Sequence, residues 1–530
     1  MIRISDLKLP LSYTEQDLHT QAAKRLKITP SQIQHLTLFR RSIDARNKQN
    51  IHFICTVDLA LPNEAAVLKR CPKAKRVLPY HYSLPTSKPL AVPPVIVGFG
   101  PAGLFAALLL ARAGQKPIVI ERGGPVQQRT AAVRTFWQGG PLDAESNVQF
   151  GEGGAGTFSD GKLNTGTKDP RARQVLLELV QAGAPEEILY RAKPHVGTDY
   201  LAQIVQTMRK TILSLGGQVQ FHTKLTALHA KHGALTGITV QPQNAASYRI
   251  DTNHLILAIG HSARDTYEML HESGLVQLTP KPFSVGARIE HPQSRIDQMQ
   301  FGCFAGHPAL GAAEYKQATH LPNGRGVYTF CMCPGGVVVA SASEAGGVVT
   351  NGMSNFARGG ENANSAVLVS VTPQDFGSEH PLAGMHFQRR LEQTAYEMGG
   401  NTYAAPAQHV GDFLQNRATG KIAEITPTYQ RGVIPGNISR CFPPELADSL
   451  RAGIAQIDRA MPGFAHPQAL LTAVETRSSA PVRIPRGADL QSVTLSGLYP
   501  CGEGAGYAGG IVSAAVDGIK CAEAILHTTQ

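Results

Sequence analysis

VIVGFGPAGLFAALLLARAGQKPIVIERG, residues 95–123, contains the parts of a phosphate-binding unit in chain order. The apolar run VPPVIVG (92–98) predicts a strand, and the small and apolar residues 104–113 predict a buried helix. Between them Gly98, Gly100 and Gly103 make the spacing G-x-G-x-x-G. Gly98 permits the tight turn, Gly100 lets backbone approach a pyrophosphate, and Gly103, followed by Ala107, lets the helix pack closely on the strand. The unpaired N–H groups and positive dipole end of the helix would face the phosphates. A second strand ends at Glu121, 18 residues after Gly103, where a carboxylate can accept hydrogen bonds from an adenosine ribose. Pro101 and Ala102 in the turn fit FAD at least as well as NAD. Strand, turn, helix and acid together predict a dinucleotide site.

The chain around this unit has 530 residues, 42% hydrophobic and 17% charged, a globular composition long enough for two or three domains. No run approaches the roughly 20 apolar residues that span a bilayer. The first residues carry acids and no long apolar core, which argues against a secretory leader. Eight scattered cysteines do not read as a disulfide framework, so a reduced, cytoplasmic protein is expected. The net charge of +11 is uneven: residues 1–90 hold 15 Lys/Arg against 6 Asp/Glu.

We read 1–60 as a small basic α/β domain, with strands at 2–9, 34–41 and 51–59 and a helix at 15–26 capped by Thr14. Residues 61–91 read as a Pro- and Lys-rich linker. Residues 92–279 begin an FAD-binding domain with amphipathic helices near 170–182 and 198–215, a strand at 219–223 and a β-meander. Residues 280–485, a mixture of strands and turns, read as an inserted substrate or cap domain, and 486–530 complete the cofactor domain. The fold class expected is α/β: a Rossmann-like FAD-binding domain, an inserted mixed α+β domain and a small amino-terminal α/β domain.

FAD is favoured by two further stretches. HLILAIGHSA (254–263), a strand ending at Gly260, resembles the second signature of two-dinucleotide-binding flavoproteins, and GLYPCGEGAGYAGGIVSAAVDGIKCAEAIL (497–526) resembles the third. There Glu503, between Gly502 and Gly504, would reach the ribityl chain. Gly509, Gly510 and Ile511 would open a helix aimed at the flavin pyrimidine. The chain thus resembles the glutathione-reductase superfamily. More closely it resembles a bacterial family usually called uncharacterised FAD-dependent dehydrogenases, which carry an extra amino-terminal domain. The matching stretches include RRSIDARNK (40–48), ESNVQFGEGGAGTFSDGKLNTGTKD (145–169), KPFSVGARIEHPQ (281–293), FCMCPGGVVVASASE (330–344), NGMSNFARGGENANSA (351–366) and VETRSSAPVRIPR (474–486). The resemblance implies bound FAD and a redox function. Glu503 stands where many members of the superfamily have Asp, so the ribityl contact would reach one methylene further.

Further site candidates are Gly154, Ser159 and Lys162 in the glycine-rich 151–166 segment, read as an ordered loop against the isoalloxazine ring. Arg122, Arg129 and Leu225 are added as cofactor neighbours, Leu225 where this fold brings backbone against adenine. Catalytic candidates are Lys162, Arg288 and Cys333. Cys331 and Cys333 are expected to face one side of a strand, which makes a redox dithiol awkward. Arg288, Arg417 and Arg477 are each read first as surface or structural arginines, with a clamp for an anionic substrate as the alternative. The nineteen histidines show no metal spacing, and no metal is expected. No second G-x-G-x-x-G opens a helix, so NADPH or NADH would bind only as a transient donor.

The leading function is hydride transfer between FAD and a small organic substrate. The alternatives are a flavin monooxygenase and an FAD-containing RNA-modification or RNA-binding factor docking through residues 1–90. Against RNA binding, that unit lacks the aromatic strand motif of an RNA-recognition domain.

Overall fold

The computed structural model describes residues 1–164 and 166–528. Thr165, within the glycine-rich segment, lies outside the described residues. A five-stranded parallel sheet runs in the order Leu498–Pro500, Leu255–Leu257, Val95–Val97, Ile118–Ile120, Gln218–Gln220. Its central strands are apolar and buried, as a parallel sheet covered on both faces requires. Helix α1 (Pro101–Arg112) leaves the first strand of the chain that enters this sheet, and α2 (Ile511–His527) follows the last. The two helices pack on each other so closely that a Cβ at Gly518 of α2 would overlap the Ala102 carbonyl of α1.

Gly518→Ala therefore sets two effects against each other. Alanine favours a helix interior by about 1 kcal/mol over glycine, but here it drives two helices apart at a backbone contact. Overpacking costs about 1–3 kcal/mol, so the variant should melt lower than the parent in a thermal scan. An unchanged or raised melting temperature would mean that the helix pair can separate freely.

The expected meander is present as Thr223–Lys231, Ala234–Pro242 and Tyr248–Asp251, with Leu225 inside its first strand. A seven-stranded sheet lies between residues 283 and 475, with Phe283–Pro292 between Asn362–Val371 and Leu470–Glu475. Residues 280–485 are not only strands and turns: helices Ala383–Met398 and Pro444–Ala460 pack there. Helix Val126–Trp137, also absent from the sequence reading, follows the second parallel strand.

In the amino-terminal sheet the order is His35–Asp44, His52–Ala60, Ile2–Leu9, Lys75–Arg76. The expected Thr14 cap is made as a capping box with Asp17. The stretch read as a linker holds helix Glu64–Arg70 and the strand Lys75–Arg76, so the small unit reaches further along the chain than expected. It is tied to the body by Arg41: its N–H donates to the Tyr190 carbonyl (2.7 Å), and its carbonyl accepts from the Ala192 N–H (2.9 Å). Among the described residues no helix is long and apolar enough to cross a membrane.

Candidate cofactor and substrate cavity

One cavity of about 660 Å³ runs from the Gly98 turn to the seven-stranded sheet, within the range of ligand pockets, about 300–1,000 Å³. Its construction begins with the turn. Gly98 has φ +99°, and a Cβ there would overlap the Ala258 carbonyl. Gly103 faces away from the cavity, and its missing Cβ admits the Gly98 carbonyl. Gly100, Pro101 and Ala102 line the cavity, and Gly100 caps α1 without a side chain. Across from Gly100 stands Gly154, at φ +60°, where a Cβ would lie 2.8 Å from the Gly100 Cα. The first N–H groups of α1 thus open on a cleft walled by backbone.

Glu121 is 5% exposed at the cavity wall. Its Oε2 accepts from the Phe99 N–H (2.8 Å), and its Oε1 accepts from those of Gly123 and Gly151 (2.9 Å each). The carboxylate therefore joins the glycine turn, the end of the second parallel strand and the glycine-rich loop, with one acceptor site left at the cavity wall. Arg122 also lines it, held by Glu145 and Asp265 and lying 4.2 Å from the Phe150 ring centroid. Leu225 and Gly260 complete this end.

Farther along, Gly502, Glu503, Gly509, Gly510 and Ile511 all line the cavity. Gly510, at φ +83°, caps α2 without a side chain, and nothing stands within 4 Å of where its Cβ would be. A second uncapped helix terminus therefore opens on the same space. Glu503 is half-buried, and desolvation pushes its carboxyl up to about 8, with Lys281 opposing. At neutral pH it is mostly a hydrogen-bond donor. The two cradles, the glycine backbone between them and Glu121 fit a dinucleotide with a flavin at the α2 end.

The cavity continues into a chamber lined by Lys162, Tyr315, Tyr328, Phe330, Cys331 and Arg477. Ser159 lines it too, its hydroxyl donating to the Gly156 carbonyl and accepting from the Gly161 N–H. Lys162 is held by Asp160 (2.7 Å), which is fully buried and also takes Arg358 (2.5 Å) and the Ser354 hydroxyl. This cluster was missed in the sequence, where no spacing links Asp160 to an arginine almost 200 residues later. His261, the residue after Gly260, also lines the cavity; burial and the cations Arg477 and Arg264 push it down to about 3, so it is neutral.

Several expected site residues lie elsewhere. Arg129 is fully buried, and its guanidinium donates to the carbonyls of Asn147, Val148, Gly151 and Glu152. It shapes the glycine-rich loop from behind and does not reach the cavity. Arg288 is also fully buried, paired with Glu475 (2.8 Å), because its strand lies at the centre of the seven-stranded sheet. Arg417 is an exposed partner of Asp412. Cys333 is buried, and only Cys331 reaches the cavity. They do not share one strand face as expected: the register slips between Phe330 and Cys333, and Cys331 has φ +43°. Arg288 and Arg417 are thus the structural and surface arginines expected, and of the three only Arg477 lines the chamber, where the alternative of a clamp stays open. The buried group Cys501, Asp517 and Cys521 has ligand-type atoms within 4.8 Å of one another. Asp517 is engaged there by Arg486 (2.6 and 2.9 Å) and by the Gly502 N–H (2.7 Å), which ties α2 to the turn before it.

Residues 282–478 match the family described as "FAD-dependent protein, C-terminal domain-like", and residues 1–60 match a domain of unknown function. A protein of Clostridium beijerinckii, described as "Uncharacterized protein", is 48% identical over 533 residues, covering 99% of this chain and 98% of its own. The chain belongs to that protein's family. Among solved structures, a flavoprotein/dehydrogenase from Cytophaga hutchinsonii aligns at 13% identity and a TM-score of 0.37, over 83% of this chain and 80% of its own. A geranylgeranyl bacteriochlorophyll reductase-like protein from Thermoplasma acidophilum aligns at 12% identity and a TM-score of 0.36, over 82% and 79%.

Proposed function

We propose that the protein is an FAD-dependent oxidoreductase that passes a hydride between bound FAD and a small organic substrate. The observation that carries this reading is that two uncapped helix termini and Glu121 open on one cavity, which continues into a side-chain-lined chamber. The α1 terminus and the turn Gly98–Gly100 would hold the pyrophosphate, Glu121 the ribose, and the backbone at Leu225 the adenine. Glu503 would meet the ribityl chain, and Gly510 and Ile511 the pyrimidine edge, where the helix dipole favours negative charge. FAD bound there supplies a two-electron acceptor or donor that no side chain offers.

In the chamber Lys162 and Arg477 would orient an anionic substrate, with Tyr328 and Phe330 against its apolar part. The three glycine signatures support placement among the two-dinucleotide-binding flavoproteins. NADPH or NADH would enter transiently. The division at residues 60, 91, 279 and 485 is proposed as the domain organisation, with helix Glu64–Arg70 added to the first unit.

An anaerobic absorbance spectrum, before and after NADPH and then NADH, tests this. A yellow protein that one nucleotide bleaches supports both flavin and donor. If neither bleaches it, the nicotinamide donor is wrong. A colourless protein that takes up no FAD overturns the whole reading.

A further inference from the structure

The strand Gly326–Cys333 leaves its ladder after Phe330. Phe330 pairs with Ala366 and Cys333 with Asn364, so one extra residue is accommodated between them. That bulge includes Cys331, a non-glycine residue in the left-handed region at φ +43°. On a flat strand, residues two apart have Cα atoms separated by about 6.6 Å, near the upper limit for a disulfide. The kink turns the Cys331 side chain to the chamber and leaves Cys333 close behind it, its Sγ donating to the Cys331 carbonyl (3.2 Å).

The surroundings of the two thiols differ. Arg288 Nη2 donates to the Cys331 carbonyl (2.6 Å) and lies 3.8 Å from the Cys333 sulfur, a permanent buried cation behind the pair. The neighbouring Cys333 and the Arg288 and Lys162 charges draw the Cys331 thiol below its ordinary value, against the effect of burial. A thiol that faces a cavity, with a second thiol buried close behind it and a cation beside them, is the arrangement of an attacking and a resolving cysteine.

We propose that Cys331 and Cys333 form a chamber-facing dithiol that converts to an internal disulfide on meeting low-molecular-weight disulfides, Cys331 attacking and Cys333 resolving. The Cys331 thiolate attacks one sulfur of the small disulfide; that S–S bond breaks, a mixed disulfide forms and one thiolate leaves. Cys333 gives its proton to the departing thiolate and attacks the Cys331 sulfur, releasing the second thiolate. The two cysteines are oxidised by two electrons, and the small disulfide is reduced to one thiol and one thiolate, which takes its proton from water. No step uses the flavin, so this inference stands or fails separately from the oxidoreductase reading.

The test uses the full chain with Cys303→Ser, since Cys303 is the exposed cysteine. The protein is treated with bis(2-hydroxyethyl) disulfide, quenched in acid, denatured, alkylated and digested with trypsin. Both cysteines of the 326–358 peptide should lose alkylation without gaining reagent. Adding Cys333→Ser should leave one hydroxyethylthio group on Cys331, and adding Cys331→Ser should leave none in that peptide. Retained alkylation at both, a mixed disulfide that never resolves, or oxidation mapped elsewhere overturns the proposal. If a serine variant does not fold, the protein without either substitution answers the same question. Its Cys331 should resist native iodoacetamide after treatment and recover with dithiothreitol; unchanged labelling overturns the proposal.

Discussion

Glu392→Gln should melt roughly 3–5 °C below the parent protein, the effect of uncovering two buried cations. Glu392 is 1% exposed and lies between Arg264 and Arg477, which are 2% and 7% exposed. Its oxygens accept from Arg264 at 2.7 and 2.9 Å, from Arg477 at 2.9 and 3.1 Å, and from the Thr476 hydroxyl at 2.6 Å. Glutamine keeps the shape but removes the charge and turns an NH₂ toward guanidinium donors. Neither arginine can lose its proton, so both stay charged and buried, and removing one member of such a group costs about 3–5 kcal/mol. Glu344 touches both arginines but is partly exposed, so solvent screens it and it replaces little of the lost charge.

The same cluster sets an acid limit. Arg264 and Arg477 outweigh burial and hold the Glu392 carboxyl far below its ordinary range. Its folded pKa is below the unfolded one, so its contribution is complete above about pH 4.5 and is lost as pH falls toward the folded value. Melting temperature against pH should fall below that point in the parent and fall less steeply in the variant. Melting temperatures within two degrees at pH 7 would mean the cluster contributes little. Arg477 also lines the chamber, so if the substrate is the anion proposed above, the variant should bind it more weakly as the guanidinium loses its anchor.

The strand–turn–helix unit and its acid were legible in the sequence because the parts are adjacent in the chain, within residues 92–121. The helix Pro444–Ala460 was missed although its signal was present. Leu446, Leu450, Gly453, Ile454 and Ile457 are buried at helical spacing. The arginines are another case. Arg129, Arg288, Arg417 and Arg477 are the same residue type, and only tertiary packing makes one a loop brace, one a sheet-centre ion pair, one a surface pair and one a chamber wall. Cys331 was misread because alternation assumes a flat strand, and no local pattern announces a bulge whose cause is the pairing partner.

Glu121→Ala should purify colourless, and its titration with FAD should give a Kd roughly ten- to a hundredfold above the parent's. Three N–H groups leave the carboxylate one acceptor site, and one carboxylate-to-ribose hydrogen bond contributes about 1.5–3 kcal/mol. The structure adds a consequence the motif alone does not carry. Glu121 accepts from the N–H groups of Phe99, Gly123 and Gly151, so a change here also loosens the loops that form the cleft. Glu121→Gln separates the two effects. Whichever way its amide turns, one nitrogen faces an N–H donor, leaving at least one buried group unsatisfied at about 1–3 kcal/mol. The flavin-free glutamine variant should therefore melt below the flavin-free parent, a difference that loss of ribose contacts cannot produce. If Glu121→Ala keeps parental flavin content, the carboxylate ties loops together and does not hold the ribose. If the alanine variant is colourless but flavin-free Glu121→Gln melts with the parent, the three N–H bonds contribute little and the ribose contact carries the effect.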